Sequence, residues 1–87
     1  MAYRIEIKPR AEKALGRIAK PRRRRIAKVI DRLARDPRPA GCRKLTGAED
    51  AYRIRVGDYR VVYQVFGRVL VVWVVRVADR KDMYRRL

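Results

Sequence analysis

The sequence predicts an α+β fold in the order β-α-α-β-β-β-β, with an N-terminal helical hairpin packed on a mostly antiparallel, twisted sheet. Three observations lead there. Tyr3, Ile5 and Ile7 alternate with Arg4, Glu6 and Lys8, the mark of a half-buried strand. Apolar residues then recur at helical spacing between Ala11 and Leu33. Beyond Cys42 the strand period returns, and Gly57-Asp58 and Gly67-Arg68 divide the apolar run into hairpins. The 87 residues make room for one domain, residues 1–87, with no internal repeat or linker.

Each element has its own signal. The first strand runs from the N-terminus to Ile7, and Pro9 suits the first turn of the helix that follows. Ala11, Ala14, Leu15 and Ile18 form its apolar stripe, Gly16 weakens it, and Pro21 is expected to end or bend it. A second helix is expected from about Arg22, with Ile26, Val29, Ile30 and Leu33 facing inward. Arg22, Arg23, Arg24, Arg25, Lys28, Arg32 and Arg35 occupy its other face, and Asp36-Pro37-Arg38-Pro39 stops it. A short strand is expected over Arg43 to Leu45, then clear strands over Ala51 to Val56, Tyr59 to Phe66 and Val69 to Val77. The last of these is apolar on both faces apart from Arg76, which marks a central strand or one covered on both sides. Asp79 to Leu87 reads as a polar tail with a short helical turn.

Strand registry gathers charge on one face. Tyr52, Ile54 and Val56 point one way, so Arg53 and Arg55 point the other. If Gly57-Asp58 is a two-residue loop, Arg55 lies opposite Arg60, while Tyr59, Val61 and Tyr63 join the apolar side. Like charges so placed repel, and no acid in these strands relieves them. They are either solvated surface residues or an anion site, and arginine suits the latter because its planar guanidinium can hold phosphate oxygens in pairs. Arg22 to Arg25 fit a solvated helix face or a source of long-range attraction. Trp73 falls on the arginine side if Gly67-Arg68 is a two-residue turn; it would there stack a base or fill a central strand.

Composition narrows the partners. There are 25 Lys and Arg against 9 Asp and Glu, a formal charge of +16, which points to a polyanion, most simply RNA. No apolar run approaches the ~20 residues of a spanning helix. The first residues read as a strand and not as a signal peptide, so a cytoplasmic protein without membrane attachment is expected. Cys42, the single cysteine, allows no internal disulfide and no soft-metal site. Asp79 with Asp82 is a poor metal pair and Glu49 with Asp50 reads as loop acids; no cofactor and no metal are expected.

Tyr52-Arg53-Ile54-Arg55-Val56-Gly57-Asp58-Tyr59-Arg60-Val61-Val62-Tyr63 resembles the signature of the RelE/ParE superfamily of bacterial toxins. Lys44-Leu45-Thr46-Gly47 fits the lead-in, and Val77 to Tyr84 resembles the C-terminal arginine-to-tyrosine motif. The resemblance covers essentially the whole chain and implies a RelE-like fold and a toxin of a type II toxin–antitoxin pair. RelE-like members cut messenger RNA in the ribosomal A site; ParE-like members share the fold and poison DNA gyrase. The RelE-like active residues match Arg53, Arg55, Arg60, Arg80 and Tyr84, and this full set favours RNA cleavage. Both strand positions are arginine where RelE-like enzymes often have lysine, so Arg53 and Arg55 hold charge and do not serve as bases. The resemblance also implies a cognate acidic antitoxin, and operator DNA reached only through it. A gyrase inhibitor and a non-catalytic basic nucleic-acid-binding module remain as alternatives.

Overall fold

The computed structural model describes residues 2–47 and 49–79. Its elements are β1 (Arg4–Ile7), α1 (Pro9–Gly16), α2 (Lys20–Leu33), β2 (Arg43–Lys44), β3 (Ala51–Val56), β4 (Tyr59–Phe66) and β5 (Val71–Asp79). The five strands form one mixed sheet in the order β1-β5-β4-β3-β2. β1 pairs with β5 in parallel; the other pairings are antiparallel. This is the expected α+β order.

The helices cover one face of the sheet. α1 opens with Pro9 in its first turn and buries Ala11 against it. Ile26, Ile30 and Leu33 of α2 lie one helical turn apart and are buried together. They meet Val56, Val61, Tyr63, Val65, Val72, Val74 and Val77 in a single core. Tyr63 fixes the segment leaving α2: its fully buried hydroxyl donates to the Pro37 carbonyl at 2.8 Å. Its ring stacks on Tyr52 at 5.9 Å, and Arg38 Nε donates to the Tyr52 hydroxyl at 2.9 Å. Burial, chiefly, pushes the Tyr63 phenol well above its ordinary pKa, with the Cys42 side chain adding to the rise.

Four boundaries differ from expectation. Pro21 lies in the first turn of α2 and so begins that helix; α1 has already ended at Gly16. The short second strand is Arg43–Lys44, without Leu45. Gly67-Arg68 is not a two-residue loop: β4 and β5 are joined by the four residues Gly67 to Leu70, so β5 starts at Val71 and runs on to Asp79. Leu70 closes that turn in the left-handed region (φ 54°), and its carbonyl accepts from the Arg4 amide at 2.8 Å, which ties the turn to β1. Asp79 is thus a strand residue, while the expected helical turn of the tail lies outside the described residues.

A bulge interrupts β5. Val62 pairs with Arg76 but Tyr63 pairs with Val74, leaving Val75 as an extra residue. Strand alternation is reset there. Val77 therefore points into the core beneath the helices, and Arg76 points away from it.

Candidate nucleic-acid interface on the open sheet face

The face without helices carries the cations. Gly57-Asp58 closes β3 and β4 as a two-residue loop, with Val56 opposite Tyr59 and Arg55 opposite Arg60, as the sequence predicts. Only Gly57 of the pair takes a positive φ (61°), the pattern of a type II′ turn, whose twist suits the flanking strands. One row across the sheet reads Arg43, Arg53, Val62, Arg76; the next reads Arg55, Arg60, Ala78. Directly paired side chains leave the sheet about 5 Å apart. These two rows place five arginines on this face, and β2, β3 and β4 contain no acid; farther along the same face Arg4 and Glu6 of β1 form an ion pair at 2.8 Å.

Their settings differ. Arg60 is only 9% exposed, Arg53 is half-buried and Arg55 is exposed. A shielded cation attracts a phosphate more strongly than one in bulk water. Arg55 bends over the hairpin, where its Nε donates to the Gly57 carbonyl at 3.0 Å. There it lines a groove of about 610 Å³ together with Arg25, Lys28 and Arg32 of α2. Arg55 thus links the open face to the basic helix, and the arginine run from Arg22 is otherwise separate from the cluster. Helix energetics do not account for that run: it begins in the first turn of α2, which has no acidic residue and where the helix dipole disfavours cations.

The geometry unites Arg53, Arg55 and Arg60. It adds Arg43 and Arg76, which sequence reasoning did not assign to the site. The signal for Arg43 was its place in the short strand before Arg53. For Arg76 it was a single charge inside an apolar strand, but simple alternation would have sent it to the core. Trp73 does lie on the arginine side: it pairs with Gln64, because the longer turn shifts the register by two residues and preserves the face. Arg80 and Tyr84 lie outside the described residues. So does Asp82; among the described residues no group of His, Cys, Asp and Glu gathers as metal ligands would.

A small mixed sheet with helices on one face and an arginine field on the other defines the class: a compact basic toxin fold of the RelE/ParE type. Residues 5–84 match the family described as ParE toxin of type II toxin-antitoxin system, parDE. The chain belongs to that family, within the RelE/ParE superfamily of toxin–antitoxin toxins. The mRNA interferase toxin RelE of Escherichia coli is 32% identical, over 93% of this chain and 86% of its own length. The archaeal RelE-RelB complex from Pyrococcus horikoshii superimposes with a TM-score of 0.82, at 35% identity, over 92% of this chain and 97% of that one. The intact E. coli RelBE toxin-antitoxin complex gives 0.79 at 32% identity, over 90% and 96% of the two chains. Among the described residues no helix is long and apolar enough to cross a membrane.

Proposed function

We propose that this toxin is a ribosome-dependent mRNA endoribonuclease that cuts message in the A site and so halts translation in the cytoplasm. The observation that carries the reading is the paired row Arg55–Arg60, flanked by Arg53, on a sheet face whose hairpin strands have no acid. RNA brings its own nucleophile. The 2′-oxygen attacks the adjacent phosphorus as its proton leaves, the bond to the 5′-oxygen breaks, and a proton returns to that oxygen. Arg53, Arg55 and Arg60 hold the phosphate and the charge that builds on it. The chain has no histidine, so Tyr84 is the proton acceptor of choice. Brought beside the arginine cluster, its phenolate would be favoured. Arg80 steadies the leaving oxygen. No step calls for a metal or cofactor. The ribosome supplies orientation, which is worth much of the barrier.

An acidic cognate antitoxin is proposed to silence the protein by covering this basic surface, with operator DNA reached only through that partner. Structures of RelE relatives with RelB support such a partner. Mapping 5′ ends of a reporter message in a translating extract tests the proposal. Cuts within codons at the A site are expected, together with little degradation of purified RNA, and Tyr84→Phe should abolish the cuts. The match to a ParE family favours one second reading, a DNA gyrase inhibitor. Replication arrest with intact message would establish it instead.

A further inference from the structure

Beside Arg53, Arg55 and Arg60, the open face holds an indole and a cation that no step above uses. Trp73 and Arg76 both belong to β5, three positions apart, and in a regular strand they would point to opposite faces. The bulge at Val75 puts them on the same face. Trp73 pairs with Gln64 and Arg76 with Val62, so they stand two residues apart along β4, about 7 Å. Arg76 is separated from Arg53 by Val62 alone, two strand spacings or about 10 Å. At that spacing the two long side chains can reach adjoining phosphates of one strand.

The indole is not sealed as a core residue would be. The helices lie on the other face, Trp73 is half-buried, and a groove of about 580 Å³ opens on its β1 side, lined also by Arg4, Glu6, Phe66, Val69 and Val71. Phe66 meets it edge-on at 4.8 Å, which fixes the ring. Lys8 rests its ammonium 4.1 Å from the ring centroid, so the π face already attracts a cation. Lysine has a flexible stem, and a planar base could take its place while the ammonium moves to a phosphate.

Resting on the RNA-directed reading above, we propose that Trp73 and Arg76 form a nucleotide subsite flanking the arginine cluster, where the indole stacks on an unpaired RNA base and the guanidinium holds an adjoining phosphate. The occupant is single-stranded RNA, because the subsite combines a stacking surface with a cation and continues the phosphate-binding rows. Its work is to set which stretch of message lies across the cluster.

Trp73 is the single tryptophan, so its emission reports the subsite directly. A short single-stranded 2′-O-methyl RNA, which cannot be cut, should quench that emission saturably, whereas heparin, an anion without bases, should bind without the quench. Trp73→Leu should weaken RNA binding about 5- to 150-fold, the usual worth of one stacked base. Arg76→Ala should weaken it and lower the slope of log K against log salt by about 0.7, with Arg76→Lys restoring the slope. Urea midpoints identify any variant that fails to fold, and the wild-type quench stands without variants. A bound wild type whose emission matches the heparin complex overturns the subsite, as does unchanged RNA affinity in folded Trp73→Leu and Arg76→Ala. If those variants bind as wild type while Arg60→Ala does not, the subsite fails and RNA recognition stands. If the wild type binds no RNA and leaves message intact in the translating extract, the interferase reading fails as well.

Discussion

The helix-covered face and the open face are cut from the same strands, residue by alternate residue, yet their energetics run in opposite directions. On the covered face Val61, Tyr63, Val65, Val72 and Val74 are at most 1% exposed, and each contributes apolar burial. On the open face Arg43, Arg53, Arg55, Arg60 and Arg76 crowd together, and their mutual repulsion works against the fold. One side of the sheet is optimised for stability. The other carries a concentration of like charge. Under the proposed function, the contrast separates residues that keep the protein folded from those that let it act.

That contrast can be broken from either side. The largest effect is expected at Arg60. Arg60→Ala should lower the rate of message cleavage per folded molecule about 10²- to 10³-fold, the usual cost of one charge-stabilising donor. Ile30→Ala should do the reverse. Truncating this buried residue, 1% exposed, should cost about 2–5 kcal/mol in urea denaturation. Cleavage per folded molecule should be unaltered.

Tyr63 tests the covered face through pH. Burial raises its folded-state pKa above the unfolded value of about 10. The unfolded chain therefore ionises first as pH rises, and stability that is complete below about pH 10 declines above it. Tyr63→Phe should start less stable, having lost the bond to Pro37, but should lose less between about pH 8 and pH 11. Smaller effects come from relieving repulsion. Arg53→Gln, opposite Arg43, should raise stability by about 0.2–1 kcal/mol while weakening RNA binding. Arg22→Glu, in the first turn of α2, should stabilise by about 0.3–1 kcal/mol at low salt through the helix dipole.

The same contrast explains what can be read from the sequence. Where polar and apolar residues alternate, as in Tyr52 to Val56, the face of every side chain follows, and the Arg55–Arg60 pairing is legible from that alternation and the two-residue turn alone. Where both faces are apolar, alternation carries no information. Val74 and Val75 are interchangeable by composition, so the bulge between Trp73 and Arg76 leaves no trace in the sequence, and neither does the arrival of Arg76 at the site. The β4–β5 turn is misplaced for a related reason: Gly67-Arg68 has the composition of a tight loop, but the chain closes through Leu70, a residue rarely left-handed. The parallel seat of β1 beside β5 is a long-range choice that no local pattern encodes. Arg80 and Tyr84 are proposed for the site from family resemblance alone, beyond what strand geometry can supply.

That seat of β1 also orders events in time. Arg4 pairs with Val71, so the earliest strand to be synthesised must wait for the latest one. The β3–β4 hairpin that displays the arginines can close locally, whereas seating β1 requires a loop spanning most of the described chain, whose closure entropy is lost before any contact repays it. A ribosome making this toxin therefore holds an incomplete sheet until β5 has emerged.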